Sequence, residues 1–193
     1  MKGRPTIYKD EEIILKAQGL FWEKGYSATS LADLSRTTGA GPGSLYNTFK
    51  GGKKELFIKS LHQRKEDFKK FKQSLRNSNK PIEMIKSFFL DIANADKHAH
   101  LKGCIVANTI VEMTFIDDEL ENEAIDILKE TEKLYTEVIL IEQKKGNIRS
   151  KVPANVLGKY LVTLWCGINS LRRIYPDKNV LKQQIELQLE ILN

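Results

Sequence analysis

Apolar residues recur along this chain at every third or fourth position and hardly anywhere at every second, which predicts helices and argues against strands. Ile13, Ile14, Ala17, Leu20 and Phe21 make one stripe of a helix over about 10–24. Asp10, Glu11 and Glu12 put acid at its N-terminus, where the macrodipole favours it, and Gly25 is a left-handed stop. Ser30-x-x-Asp33 is a variant capping box that opens a short helix through Leu31 and Leu34 to about 38. Gly39-Ala40-Gly41 then turns the chain, and Pro42 opens a second short helix carrying Leu45 and Phe49. Longer helices are expected over about 53–76, 81–96, 104–114, 117–145, 153–175 and 177–192. Pro81 and Pro153 sit where first helical positions should be, and Pro176 stops the helix before it. The fold class is therefore all-α, with about nine helices.

Charge divides the chain unevenly. The first 76 residues hold 16 Lys+Arg against 8 Asp+Glu, and the remainder hold 15 against 17. A basic module on a near-neutral body points to a polyanionic partner for the N-terminal part, or else to a solvated surface that is merely basic. The two cysteines, Cys104 and Cys166, exclude a disulfide-built fold. No apolar run spans a bilayer and the first residues are not a signal sequence, so a cytoplasmic protein with no membrane partner is expected. Hydrolase elbow, phosphate loop and zinc-protease motifs are absent, and the glycines at 39, 41 and 43 have the wrong spacing for a dinucleotide fold. The expectation is a protein that is not an enzyme and needs no cofactor or metal. His98, His100 and Cys104 do not complete a metal-ligand set.

Two short helices joined by a glycine turn form a helix-turn-helix, with Leu31, Leu34, Leu45 and Phe49 packing them together. The second helix leaves Gly43, Ser44, Asn47 and Thr48 free to meet base edges. The run Gly25-Tyr26-Ser27-Ala28-Thr29-Ser30-Leu31-Ala32-Asp33-Leu34, with Thr38-Gly39 through Gly43-Ser44-Leu45-Tyr46 to Phe49, and Lys53-Lys54-Glu55-Leu56-Phe57, resembles the signature of the TetR family of bacterial transcriptional regulators. The likeness covers about the first third of the chain. It implies a DNA-binding domain over 1–53 and a helical regulatory and dimerisation domain over 54–193. By position it implies phosphate contacts from Tyr46, Lys53, Thr29 and Ser30, and base contacts from Gly43, Ser44, Asn47 and Thr48. Gly41 and Pro42 open the recognition helix at the same surface. Asn47 is the best candidate for direct readout, since asparagine bonds adenine bidentately, and otherwise is a solvent-exposed polar residue. Lys2 and Arg4 belong either to an arm reaching the minor groove or to a loosely held basic tail. Gly41 stands where the family often has Ser or Thr, Asn47 where it often has His or Tyr, and the Lys50-Gly51-Gly52-Lys53 link is one residue longer than usual.

The helix over 153–175 is apolar nearly all round, and the one after it reads similarly. A homodimer is expected through about 154–192, by way of Leu157, Leu161, Leu164, Trp165, Ile168, Leu181, Ile185, Gln188 and Leu192, as the resemblance implies. The resemblance also implies a small-molecule effector. Its candidate contacts are Phe88, Phe89, Ile92, Asn108, Glu112, Met113, Phe115 and Tyr135, which otherwise read as core aromatics and a polar helix edge. Cys104 reads either as a redox or electrophile sensor or as a buried structural thiol, and Cys166 as packing. The function expected is a dimeric repressor that a ligand releases from a pseudo-palindromic operator. The alternatives are a cysteine-based redox regulator and a helical ligand-binding protein with no role on DNA.

Overall fold

The computed structural model describes residues 10–96 and 101–193. The expected basic arm with Lys2 and Arg4, and the pair His98 and His100, lie outside the described residues. The described residues form helices and no strand. In chain order the helices are α1 Asp10–Lys24, α2 Leu31–Thr38, α3 Pro42–Thr48, α4 Gly52–Asn77, α5 Pro81–Asn94, α6 Ile105–Met113, α7 Asp118–Lys144, α8 Ala154–Leu171 and α9 Lys178–Leu189. Short 3-10 turns, Arg172–Ile174 and Glu190–Leu192, follow the last two. No helix among the described residues is long and apolar enough to cross a membrane.

The helix starts follow local chemistry. Asp117 caps α7 by accepting from the amides of Glu119 and Leu120, and Asp177 caps α9 through Asn179 and Val180. Pro42 and Pro81 occupy first-turn positions. Pro153, expected at the first helical position, is instead the N-cap of α8, with φ −54° and ψ 137°. Its carbonyl accepts from the amide of Leu157, so the missing donor costs nothing one residue earlier either.

The buried side chains form two clusters, and α4 and α7 serve both. Leu56, Phe57 and Leu61 of α4 and Leu120, Ala124 and Ile127 of α7 pack with α1, α2, α3 and the start of α6. Leu75 of α4 and Leu134, Tyr135, Val138 and Ile139 of α7 pack with α5, α8 and α9. Trp165 touches both clusters. The two halves of the chain thus share two long, continuous helices, each rigid over about 39–40 Å at 1.5 Å per residue.

Candidate nucleic-acid interface

α2 and α3 are joined by a small, hydrogen-bonded turn. Leu34, Ala40, Leu45 and Phe49 are buried between them, and Leu31 packs against the same cluster. Gly39 ends α2 in the left-handed conformation, φ +78°, which favours glycine. The Thr38 hydroxyl donates to the Leu34 carbonyl and accepts from the Ala40 amide, while Ser35 donates to the Ala40 carbonyl. Gly41 caps α3 without a side-chain bond, and Pro42 behind it removes one donor that would need a partner.

The far side of α3 is open. Gly41, Pro42, Gly43, Ser44, Tyr46 and Asn47 are exposed, and Thr48 is half-buried. A Cβ added at Gly43 would meet no atom within 4 Å. Nothing inside the protein requires glycine there.

Three of the expected phosphate contacts are committed elsewhere. Thr29 is 1% exposed, and its hydroxyl donates to the Gly25 carbonyl at 2.6 Å. The turn after α1 folds back on itself there, which corrects its assignment as a surface contact. The Ser30 hydroxyl accepts from the Asp33 amide at 3.0 Å and donates to the Asp33 carboxylate at 2.8 Å. Lys53 donates to the carbonyls of Thr29 and Tyr26 at 2.9 and 3.0 Å and lies 4.2 Å from the centre of the Tyr26 ring. Burial lowers its pKa, with the Glu112 charge acting the other way. Lys53 therefore ties the turn before α2 to the start of α4, and Gly52 beside it takes the left-handed bend, φ +64°. Tyr46 keeps its exposed position, as its expected role requires.

Asp33 anchors the α2 cap electrostatically. Hydrogen bonds from the Ser30 hydroxyl and amide, and then the Lys24 ammonium, bring its pKa from the usual 3.8 down to about 2. Arg36 also bonds it. A depressed carboxylate stabilises the fold above its ordinary pKa and loses that contribution as the pH falls through the folded value. Side-chain carboxyl NMR should therefore show the α2 cap intact at pH 4 and lost as the pH falls towards about 2.

A carboxylate from the C-terminal half grips the N-terminal helices. Glu112, on α6, accepts from the amides of Ser27 at 2.7 Å and Tyr26 at 3.0 Å. Gly25, at φ +81°, makes room for it: a Cβ there would lie 2.9 Å from Oε2 of Glu112. Trp22 of α1 donates to the Gly103 carbonyl at 3.0 Å, and Lys102 pairs with Glu23 at 3.0 Å. Glu112 was expected to meet a ligand, and the structure spends both its oxygens on this clasp. The pairing joins residues 85 and 86 positions apart, and no local pattern announces it. Glu112→Ala should lower thermal stability by about 1–3 kcal/mol, the usual cost of removing a charged acceptor from partly buried amides. Urea denaturation of the two proteins tests this.

Between α4, α5, α7 and α8 lies a cavity of about 420 Å³. Phe88, Ile92 and Tyr135 line it, as expected. The other expected contacts are placed elsewhere. Phe89 is fully buried in the core behind Phe88, and Met113 is fully buried in the N-terminal cluster. Phe115 is 99% exposed, at a left-handed φ of +67°. Asn108 is exposed, donates to the Lys102 carbonyl, and faces a separate cleft beside α1 that it shares with Glu112. The reason is the direction α6 faces. Its buried side is Ile105, Val106, Thr109 and Met113, and Asn108 and Glu112 face the cleft beside α1. The sequence reading missed Trp165, Phe71, Arg64, Arg172 and Cys104 on the cavity wall.

Residues 13–59 match the model of the tetR family of bacterial regulatory proteins, and residues 82–187 match that of the tetracyclin repressor-like C-terminal domain. The chain belongs to the TetR family. Over 187 residues it is 24% identical to the HTH-type transcriptional repressor DhaR of Mycobacterium sp. (strain GP1), covering 94% of this chain and 91% of that one. Its fold is similar to that of CifR, a TetR family transcriptional regulator solved in a cysteine-substituted form with a 26-bp operator DNA, at a TM-score of 0.79 and 21% identity over 99% of this chain and all of that one. It is also similar to the reduced form of E. coli NemR, at a TM-score of 0.81 and 14% identity over 95% and 97%. The protein is a DNA-binding transcriptional regulator, with an N-terminal helix-turn-helix and a helical C-terminal half.

In this TetR-family chain the last two helices bury more of themselves than their sequence suggested. Leu157, Leu161, Leu181, Ile185 and Leu192 are at most 1% exposed, and Leu164 and Ile168 only slightly more. These residues, expected at a subunit interface, fill the protein's own core against α5 and α7. Trp165, expected there too, stacks on Phe88 at 4.6 Å in the cavity wall. Gln188 is half-buried, and its carbonyl accepts from the Tyr160 hydroxyl. What α8 and α9 leave outside is a different set: Val156 and Leu171 on one, Val180 and Leu187 on the other, all about half exposed or more. A groove of about 260 Å³, lined by Thr163, Gly167, Gln184 and Gln188 among others, runs between them.

The fold also brings the two cysteines together. Cys104, buried at the start of α6, is hydrogen-bonded to Cys166 of α8. That bond, the first-turn amides of Ala107 and Val106 and the Trp165 side chain hold the Cys104 thiol below its ordinary pKa, although burial opposes them. Cys166, read from the sequence as packing, is the other half of a dithiol beside the cavity.

Proposed function

We propose that the protein is a cytoplasmic homodimeric repressor that binds a pseudo-palindromic operator and leaves it when a small molecule enters the cavity between α4, α5, α7 and α8. The observation that carries this reading is the open face of α3. Ser44, Asn47 and Tyr46 stand on a small, hydrogen-bonded turn, around a glycine that nothing internal demands. DhaR is by its name a repressor, and the CifR neighbour was solved with operator DNA. Asn47 reads a base, Tyr46 bonds phosphate, and a two-fold dimer sets two such helices roughly 34–36 Å apart. The exposed apolar residues of α8 and α9 supply the dimer face, in place of the buried leucines. Binding to the DNA upstream of the coding region should exceed binding to a scrambled duplex by roughly 10³ at physiological salt, and equal, salt-sensitive binding to both would overturn the assignment.

The dimer face has its own expected result. Leu171→Glu with Leu187→Glu should give a folded monomer by light scattering, with operator affinity reduced about 100-fold as two-site binding is lost. A dimer of unchanged mass would place the interface elsewhere.

Release requires a ligand that prefers the state with the wrong head spacing. The cavity wall includes Trp22 of α1, so a ligand there touches the DNA-binding half directly.

The paired thiols support a second reading, in which the signal is an oxidant. A peroxide takes two electrons and two protons from Cys104 and Cys166, is reduced to two waters or, for an organic hydroperoxide, to an alcohol and a water, and leaves a disulfide between Cys104 and Cys166. Peroxide should then release operator from the parent protein and not from Cys104→Ser or Cys166→Ser. An unchanged response in both variants removes this reading.

A further inference from the structure

The cavity wall carries two acidic and two basic side chains. Its acidic wall residues, Asp67 and Asp91, are exposed. Of its basic ones, Arg172 is 5% exposed, and the partly exposed Arg64 lays its guanidinium 5.0 Å from the centre of the Trp22 ring. Arg64 donates one terminal N–H to Gln18 and pairs loosely with Asp67 through another nitrogen, at 3.6 Å. Its Nε is buried and has no hydrogen-bond partner among the described residues. Asp96 and Cys104 both act on the charge of Arg172.

Arg64 and Arg172 both line the cavity, and a chain of contacts links the segments that carry them. Trp22, under Arg64, bonds the Gly103 carbonyl, and a Cβ on Gly103 would come within 3.4 Å of the Asn169 carbonyl, one helical turn before Arg172. The rest of the wall is aromatic. Phe71, Phe88 and Trp165 form a continuous stack, with centroid spacings of 4.7 and 4.6 Å. Both faces of Phe88 are therefore covered, and one face of Trp22 carries Arg64, so the rings do not form an open cage for a cation.

We infer that the effector is a small aromatic or flat apolar acid, its ring against the Phe88–Trp165 side and its carboxylate or phenolate held by Arg64 and Arg172. A buried donor without a partner gains most from a charged acceptor, and a cavity of this volume fits a molecule of one to three rings. The inference rests on the cavity being the effector site. It also says how the signal reaches DNA: Arg64 touches Trp22 and Gln18 of α1, so an acid that draws on Arg64 pulls on the first helix of the DNA-binding half.

Titration calorimetry of the full chain with 1-naphthoate, 1-naphthamide and 1-naphthylmethylammonium tests the chemical class without DNA. The acid should bind at least about tenfold more tightly than the amide. Arg64→Gln should erase that difference and Arg64→Lys keep most of it, with circular dichroism checking that both fold. Equal or tighter binding of the amide, preference for the ammonium, or no binding of any of the three at about 1 mM would overturn the inference. Fluorescence anisotropy of the operator complex separates this from the parent reading. Acid that binds yet leaves the complex intact refutes ligand-released repression and keeps the ligand class. Release by the neutral amide alone does the reverse.

Discussion

Replacing Gly43 with leucine should leave the fold intact and remove DNA binding. A Cβ at this position enters open space, and the residue lies exposed in the first turn of α3. Exposed substitutions of this kind change stability by about 0.5 kcal/mol or less, and relief of glycine's chain entropy acts in the stabilising direction. Against DNA the same side chain stands between the recognition helix and the groove floor. It should hold Ser44 and Asn47 away from the base edges and Tyr46 away from phosphate. Operator affinity should fall at least 100-fold, a loss of about 3 kcal/mol, equivalent to one or two good base contacts. The melting temperature and a duplex titration together check the result. A variant that melts early would show that glycine serves the fold, and one that binds normally would show that α3 does not lie in the groove.

The second large effect is far from DNA. Gly158→Val should lower stability by about 3 kcal/mol, because overpacking a tight contact typically costs that much. For a chain of this length the melting temperature should drop by about 6–12 °C. A Cβ at Gly158 would lie 2.3 Å from the Thr136 hydroxyl, 3.0 Å from the Glu132 carbonyl and 3.2 Å from the Thr136 amide. The hydroxyl can rotate away, but the two backbone groups of α7 cannot. Here α8 packs directly on the backbone of α7, so forcing them apart loosens the packing of Leu157 and Leu161 on either side. Thermal unfolding followed by circular dichroism measures the drop. A melting temperature within a degree or two of the parent would show that the helices separate easily. Operator affinity at 20 °C should change little, which sets this variant apart from Gly43→Leu.

Several helix starts were legible because they are written in neighbouring residues. The Ser30–Asp33 box, the caps Asp117 and Asp177 and the prolines at 42 and 81 act over three or four positions, within the reach of sequence spacing. The recognition face was legible for the same reason, since exposure on a seven-residue helix follows from which two residues, Leu45 and Phe49, must face inward. Where the reading went astray, the deciding contact was long-range in every case but one. Thr29 and Lys53 have the right chemistry for phosphate, but Thr29 bonds Gly25 four positions back, and Lys53 bonds Thr29 and Tyr26 across 24 and 27 positions. Asn108 and Glu112 fall one turn apart on α6 as expected, yet α6 presents that side to α1 and its neighbouring turn. Cys104 and Cys166, 62 residues apart by number, carry no local sign that they meet.

The apolar surplus of α8 and α9 shows the division most sharply. Periodicity establishes that a helix such as α8 is covered on more than one side, because apolar residues occur nearly all round it. It does not say which neighbour does the covering. Only the packed structure assigns Leu157, Leu161 and Ile185 to the chain's own core, Trp165 to a cavity, and Leu171 and Leu187 to the outside. By itself the sequence determined what local hydrogen bonding and periodicity control: an all-helical chain, a basic helix-turn-helix at its start, and the residues that α3 leaves exposed. Tertiary structure alone decided what each buried polar or apolar side chain touches. Burial energy depends on the area covered and not on which residue covers it, so the partner is fixed only when the whole core closes.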